Sequence, residues 1–248
     1  MTDAAPNAFD GVRRALSAHL SKGDGLTQEE DLAPFLAALK GPNITPGPTA
    51  APIEDPQIRD GLRTALNTLA GPEDLQRAIR DAAPHIAWYR MLEGAPISED
   101  LRRGLVVGPL ARAEDPPLIL GLFLLAAGLH YPLHQHAAAE VYAPLSGSLR
   151  IRHGLTGDPI HIPAGRWSIT PPHRLHSMDI GSAPCLLLYV WTGEITAPGY
   201  WWDRDPDGTW HRARWERAPD GMWHQVSRER VGEDALKAAD PNTAHFPA

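Results

Sequence analysis

The stretch GLHYPLHQHAAAEVYAPLSG, from Gly128 to Gly147, carries most of the side chains that could do chemistry. It holds three histidines, one glutamate and two tyrosines within thirteen residues. Neutral imidazoles and carboxylates are ligands for divalent transition metals, and a tyrosine hydroxyl can take part in proton transfer. The residue types therefore predict a site that binds a metal ion and moves protons.

The spacing within this stretch supports a metal site. His134 and His136 are two residues apart, and residues two apart in a β-strand point to the same face. Glu140 can reach the same cavity from a facing strand after a turn. A single histidine is more often a core or surface residue, but three potential ligands in this register favour a divalent transition metal. Zn, Fe, Mn, Co and Ni all accept such ligands.

The fixed positions Gly128, His134, His136, Glu140 and Gly147 match the first motif of the cupin superfamily, G-x5-H-x-H-x3,4-E-x6-G. Five fixed positions seldom match by chance. The resemblance implies a mainly β cupin barrel, also called a double-stranded β-helix or jelly roll. It also implies that the two histidines and the glutamate bind the metal.

The second cupin motif, G-x5-P-x-G-x2-H-x3-N, fits the chain in two registers. The upstream register places Ser168 at the histidine position. The register that begins at Gly165 places His176 there, with His173 at the second glycine and Ile180 at the asparagine. We favour the second register because it supplies a fourth metal ligand, His176. His173 is the substitute candidate.

Further residues resemble those of the cupin-type dimethylsulfoniopropionate (DMSP) lyases. The matching segments are Tyr131 to Tyr142, Pro171 to Met178 and Leu188 to Gly193. Members of that family hold a divalent metal with two histidines, a glutamate and a later histidine, beside a tyrosine that acts as base. The resemblance implies a metal-dependent carbon–sulfur lyase with Tyr142 as general base and Tyr131 as a second catalytic candidate.

β-Elimination from DMSP is consistent with these residues. The substrate carries a carboxylate and, on the carbon beta to it, a sulfonium, so removal of an alpha proton releases dimethyl sulfide and leaves acrylate. A nearby divalent cation favours the phenolate form of Tyr142, which would take that proton. The faces of Tyr131, Tyr189 and Trp191 could contact the sulfonium. His130 is a further candidate for substrate binding.

Two other classes of function share this metal site. An Fe(II) dioxygenase acting on a small carboxylate would use the same ligands but would consume oxygen. A non-catalytic cupin would hold a small molecule in the barrel, and the tyrosine near the metal would then have no role. The aromatic tail from Tyr200 onward is not part of the DMSP lyase pattern, so a related small carboxylate is an alternative substrate.

The hydrophobic pattern predicts the elements that position these residues. Residues 1–104 have helical periodicity and are expected to pack on the barrel. Short apolar runs punctuated by Gly and Pro, from Leu105 to Gly193, predict the strands of the barrel, placed at residues 105–195. Residues 196–248 are expected to form an extension of aromatic-rich strands with a short helix near Glu233–Ala239.

Local signals predict helix boundaries in the first hundred residues. Thr27 and Glu30 form a capping-box pattern before a helix that ends near Leu39. Further helices are predicted at Gln57–Leu69 and Pro72–Met91, and the second of these would carry Trp88 and Tyr89.

Two other segments have distinctive composition. The proline-rich segment Gly41–Pro56 is typical of a linker or an extended strap. Asp205–His211 is echoed by Ala218–His224, and the Asp-Gly pair in each predicts a hairpin turn. We interpret the Trp-His pair that follows each turn as packing within a small meander of strands.

Composition bounds the class of protein. The net charge of −7 argues against binding of nucleic acid, which needs a basic face, and favours a small-molecule partner. The single cysteine, Cys185, is interpreted as a buried core thiol.

Without an apolar run long enough to span a bilayer or a secretory signal, we expect no membrane association and a cytoplasmic protein. Open barrel edges often pair between copies, so a homodimer is one arrangement the sequence allows.

Overall fold

The structure is a computed structural model that describes residues 4–23, 25–26, 31–49, 53–218 and 222–239. In these ranges no helix combines the length and the apolar character needed to cross a membrane.

The helices are α1 Ala4–Leu20, α2 Ala33–Leu39, α3 Pro56–Asn67, α4 Glu73–Ala82, α5 Glu99–Gly104 and α6 Glu233–Ala238. The strands are β1 Thr45–Pro46, β2 Leu105–Glu114, β3 Pro117–Leu125, β4 His130–Gln135, β5 Ala138–Pro144, β6 Ser148–His153, β7 Ile160–Pro163, β8 Ser168–Thr170, β9 His176–Ile180, β10 Cys185–Gly193, β11 Gly199–Arg204, β12 Trp210–Arg217 and β13 Trp223–Arg230.

The helix predicted at Pro72–Met91 is shorter than expected. The α-helix ends at Ala82, and a 3₁₀ turn, Ala83–His85, follows it. Pro84 causes this break because proline has no N–H to donate and its ring clashes with the preceding helical turn. Tyr89 is consequently extended rather than helical, and it pairs with Val107 on β2.

The bounds of α3 and α6 lie close to their predicted places, whereas α2 begins only at Ala33, with Leu32 as its N-cap, so the predicted capping box does not start this helix. Asp55 caps α3 by accepting hydrogen bonds from the backbone N–H groups of Gln57 and Ile58, a typical N-cap arrangement. The predicted capping-box residues Thr27 and Glu30 lie outside the described residues.

Two antiparallel sheets form the β part of the molecule. One has the strand order β1-β2-β3-β10-β5-β8, and the other has the order β13-β12-β11-β4-β9-β6-β7. The predicted strand region, Leu105 to Gly193, coincides with β2 through β10. Within the predicted linker or strap, the β1 residues Thr45 and Pro46 pair with Arg112 and Ala111 on the edge of the first sheet.

The first sheet is covered on both faces, which explains its nearly continuous apolar strands. On β10, Leu186, Leu188 and Val190 belong to the core shared with the helices. The intervening Leu187 and Tyr189 belong to the second core, between the sheets. Cys185 is buried as predicted, and burial raises the pKa of its thiol to about 12.

The C-terminal strands continue the second sheet instead of forming a separate layer. Strand β11 pairs with β4, and β12 and β13 follow outward. The predicted turn at Asp207-Gly208 joins β11 to β12, and Gly208 has a φ of +91°, which glycine tolerates best. The second predicted Asp-Gly turn, at residues 220–221, lies outside the described residues.

Candidate metal centre and active site

The space between the two sheets contains a pocket lined by His134, His136 and Glu140, and His176 lies next to the other two histidines. His134 and His176 come from β4 and β9 of the second sheet, whereas Glu140 comes from β5 of the first. His136 lies directly after β4. All four residues are buried, with relative exposures of 0–5%.

Three imidazoles converge at one point in this space. One ring nitrogen from each of His134, His136 and His176 lies within 4.8 Å of the others. The pairing of β4 with β9 places His134 and His176 directly opposite each other, so their side chains share a face of the sheet. The predicted register of the second motif therefore brings His176, rather than Ser168, to the other two histidines.

The backbone orients all three rings in the same way. Each Nδ1 lies 2.8–2.9 Å from a backbone carbonyl oxygen, on Pro132, Ala138 and Arg174 respectively. A carbonyl can only accept, so each Nδ1 carries the proton and each Nε2 is left with its lone pair. Metal-binding histidines are characteristically held by such a hydrogen bond from the other ring nitrogen.

The contact between His136 and Glu140 fits a cation. Nε2 of His136 lies 2.9 Å from Oε2 of Glu140, and in the tautomer set by the Nδ1 hydrogen bond this nitrogen offers only a lone pair. Two acceptors at this distance repel each other unless a proton or a metal ion lies between them. The other carboxylate oxygen, Oε1, is buried and has no hydrogen-bond partner among the described residues. Buried charges need a partner, and a metal ion would satisfy both oxygens.

Burial keeps the imidazoles of His134 and His176 neutral, which is the form that binds metals. It lowers the pKa of His134 to about 3, and the neighbouring His136 adds to the effect. Burial likewise holds the pKa of His176 well below its usual range. The site therefore offers lone pairs at neutral pH without a competing proton on these two rings.

Tyr142 lies beside the three histidines. It follows Glu140 by two residues on β5, is 1% exposed, and places its hydroxyl 3.4 Å from Nε2 of His176. Burial raises the pKa of the phenol well above its usual value, and the charge of Glu140 raises it further. Within the protein alone the hydroxyl is therefore protonated, and opposing positive charge is needed to make it a base.

Tyr131 reaches the same pocket because β4 is irregular. The three-residue separation between Tyr131 and His134 would place them on opposite faces of a regular strand. The pairing with β9 shifts register between these two residues, as in a β-bulge. Their rings consequently stack, with centroids 4.2 Å apart and an interplanar angle of 13°.

The two aromatic residues of β10 that we considered for substrate binding also line the pocket. Tyr189 pairs across the strands with Tyr142, and Trp191 pairs with Glu140. The ring of Trp191 lies 4.2 Å from that of His136, centroid to centroid.

The remaining histidines of the predicted set lie apart from this group. His130 is exposed, does not line the pocket, and places Nδ1 2.8 Å from Oδ1 of Asp179. His173 is also exposed, and its φ of +60° is the left-handed conformation that the motif assigns to glycine. Its backbone N–H donates to the carbonyl of His136, so it braces the loop next to the site.

The sequence profile of the dimethylsulfoniopropionate lyase family matches residues 52–187, more than half of the chain. The chain belongs to this family. The match includes all three converging histidines, Glu140 and Tyr142, and it ends before β11.

Curated relatives are similar over part of their length. DddL of Cereibacter sphaeroides is 27% identical over 146 residues, which are 56% of this chain and 61% of DddL. The dimethylsulfoniopropionate lyase DddQ of Ruegeria pomeroyi is 29% identical over 137 residues, which are 49% of this chain and 64% of DddQ. The chain thus matches somewhat less than two thirds of each of these relatives.

The fold is similar to that of a solved family structure. The crystal structure of DMSP lyase DddQ from Ruegeria pomeroyi covers 78% of this chain and 95% of its own, at 19% identity and a TM-score of 0.58. The predicted cupin barrel, helical N-terminal region and C-terminal β extension are confirmed.

Some residues that line the pocket were not among those predicted. Trp201, Trp215 and Trp223 come from the C-terminal strands, beyond the family match, and Arg217 and Tyr89 lie with them. Our interpretation of the Trp-His pairs as packing holds for Trp210, which contacts Trp202, but Trp223 faces the pocket. The only sequence signal for these residues was the density of tryptophans after residue 200.

Proposed function

We propose that this protein is a metal-dependent carbon–sulfur lyase that cleaves DMSP, or a closely related sulfonium carboxylate, into dimethyl sulfide and acrylate. The observation that carries the proposal is the convergence of three oriented imidazoles beside a buried carboxylate and a buried phenol. Membership of the family supports this choice over other reactions that use similar ligands.

His134, His136, Glu140 and His176 would hold the metal. Their donor set, neutral nitrogen and carboxylate oxygen, suits Zn, Fe, Mn, Co or Ni. When bound, a divalent ion supplies positive charge that favours phenolate over phenol and stabilises negative charge developing on the substrate carboxylate.

Tyr142 is the proposed general base. Its phenolate oxygen takes a proton from the carbon alpha to the carboxylate. The electron pair of that C–H bond forms the carbon–carbon double bond, and the C–S bond breaks as its electrons leave with dimethyl sulfide. The phenol then returns its proton to solvent, so no oxidant or reductant is consumed.

Tyr131 would hold the substrate against this base, because its ring stacks on His134 at the edge of the site. Tyr189 and Trp191 would enclose the substrate from the first sheet, opposite Tyr131. These three rings exclude water, which strengthens the electrostatic interactions within the pocket.

The test is headspace detection of dimethyl sulfide from purified protein supplied with DMSP, with and without a chelator and with and without oxygen. We expect release under strict anaerobiosis, loss on chelation and recovery when a divalent metal is added back. Unchanged release in chelator would contradict the metal requirement. Oxygen uptake without dimethyl sulfide would indicate a dioxygenase, and binding without any turnover would indicate a non-catalytic cupin.

A further inference from the structure

The C-terminal strands contribute a set of indole rings to the pocket wall. Trp201, Trp215 and Trp223, here called the indole wall, line the same pocket as His134 and Glu140. We infer that the indole wall is the subsite for the onium group of the substrate, a sulfonium or a quaternary ammonium. The inference rests on the proposed function in assuming that the carboxylate end lies at the metal.

Strand register directs the indole wall into the pocket. Strand β11 pairs with β4 so that Trp201 lies directly opposite His134. Residues opposite each other on neighbouring strands share a face, so Trp201 points into the barrel with its partner. Trp202, the next residue, points the other way and packs in a separate cluster with Leu175 and Val231.

A continuous series of rings connects the metal ligands to the indole wall. Tyr131 stacks on His134, and Trp201 meets Tyr131 edge-on, with centroids 5.6 Å apart and an interplanar angle of 69°. Trp215 follows, with its centroid 5.0 Å from that of Trp201. A small substrate whose carboxylate lies at the histidines would therefore extend its other end along these rings.

Few charged groups line the pocket, so the faces of its aromatic rings are its main electron-rich surface. Glu140 is the only acidic residue among the described residues that line it, and its carboxylate is one of the proposed metal ligands. Arg217 lines both the pocket and the adjoining surface groove, whereas Trp201 and Trp215 line the pocket alone. A guanidinium at the mouth disfavours a second cation there, so the inner indoles are the better position for an onium group.

The chemistry of an onium group matches this surface. A sulfonium or quaternary ammonium has no N–H or O–H to donate, so polar acceptors offer it little. Tryptophan has the most favourable aromatic face for a cation, and the attraction is greatest where water is excluded. Trp215 is 2% exposed, which satisfies that condition.

Contacts with the chain before β2 hold Trp223 and the neighbouring Arg217 in place. The backbone N–H of Trp223 donates to the carbonyl of Met91 at 3.3 Å. Arg217 donates to the hydroxyl of Tyr89 at 3.1 Å. A subsite held before the ligand arrives loses less entropy on binding, which favours affinity.

Calorimetric titration of the metal-loaded protein with two carboxylates tests this inference. The first, 3-(trimethylammonio)propanoate, carries an onium group but no sulfide leaving group. The second, 4-methylpentanoate, has nearly the shape of DMSP with a neutral CH in place of the sulfonium. We expect the onium compound to bind at least about tenfold more tightly, from cation–π attraction. Equal affinity would overturn the inference.

Variants at neighbouring tryptophans provide the matched comparison. Trp201→Leu should weaken binding of the onium compound about tenfold and that of 4-methylpentanoate less than about twofold. Trp201→Phe should retain part of the preference, and Trp202→Leu should leave both affinities unchanged. Equal losses for both ligands in Trp201→Leu, or the same loss in Trp202→Leu, would contradict the assignment. These measurements need no turnover, so a protein that prefers onium compounds yet releases no dimethyl sulfide would refute only the proposed lyase reaction.

Discussion

Nε2 of His136 and Oε2 of Glu140 face each other at 2.9 Å, and this contact is the main structural indication of a bound metal ion. Because Nδ1 of the same ring donates to the carbonyl of Ala138, the facing nitrogen has no proton to offer when the ring is neutral. The orphaned second oxygen of Glu140 points to the same requirement for a cation. Spacing along the chain indicated the candidate ligands, whereas only their hydrogen bonds show that a cation would fit between them.

Tyr142→Phe tests the proposed base. Removal of one hydroxyl leaves the three imidazoles and Glu140 in place, so metal content should stay near that of the wild type. Turnover should fall by at least about 100-fold, the usual contribution of a general base. Metal analysis by mass spectrometry and headspace detection of dimethyl sulfide check the two parts. A variant that keeps most of its activity would exclude Tyr142 as the base.

His176→Ala and His173→Ala distinguish the two candidates for the ligand from the second motif. The first change removes one of the converging nitrogens, so bound metal should drop below about a tenth of the wild-type content, since a lost ligand costs far more than a lost supporting contact. The second change alters an exposed side chain and should leave metal content unchanged. Metal retained in His176→Ala and lost in His173→Ala would reverse the assignment.

The two glycines at the ends of the first motif have different physical roles in the turns they occupy. Gly128 and Gly147 both have positive φ, +69° and +66°. A Cβ on Gly128 would meet no atom within 4 Å, whereas one on Gly147 would lie 2.7 Å from the carbonyl oxygen of Pro184. Position 128 therefore requires glycine only for its positive φ. Position 147 requires glycine both for its positive φ and because a side chain would clash with the backbone of Pro184.

This difference gives a prediction for a pair of matched variants. Gly128→Ala should lower the free energy of unfolding by about 1–2 kcal/mol, the cost of a left-handed residue with a side chain. Gly147→Ala should lower it by more than about 2 kcal/mol, because backbone must also move. Urea denaturation of the metal-free proteins measures both. Similar losses in the two variants would mean that the contact with Pro184 relaxes without cost.

The elements also show which features a sequence pattern can predict. The ligands of the first motif lie close together in the chain, so local spacing places them. The orientation of Tyr131 depends on the bulge in β4, and that of Trp201 depends on how a distant strand pairs with β4. A register shift by one residue would turn Trp201 away and bring Trp202 into the pocket, and such long-range pairing leaves little trace in local sequence. The early end of α4 was predictable from Pro84 alone.

For the whole molecule, the buried imidazoles predict loss of stability in acid. Burial lowers the pKa of His134 from 6.5 to about 3, and that of His153 from 6.5 to about 4. Between these values the unfolded chain binds protons that the folded protein does not, so the free energy of unfolding falls as pH falls. The slope is about 1.4 kcal/mol per pH unit for each such histidine.

Urea midpoints of the metal-free protein at pH 7.5 and pH 5 measure this effect. We expect a clearly lower midpoint at pH 5, and a smaller difference between the two pH values in His134→Asn, which has no imidazole to protonate. The same pH dependence in the variant and the wild type would show that other groups govern acid stability.

The strands that hold His134 and His176 and the strands that carry the indole wall belong to one sheet but to separate stretches of the chain. Substitution of the tryptophans on β11–β13 is therefore expected to change which compounds bind, while the proposed metal ligands on the other strands stay unchanged. The family match ends at residue 187, within β10. A protein truncated there would lack the strands that form one side of the cavity, and the edge of β4 that pairs with β11 would be exposed.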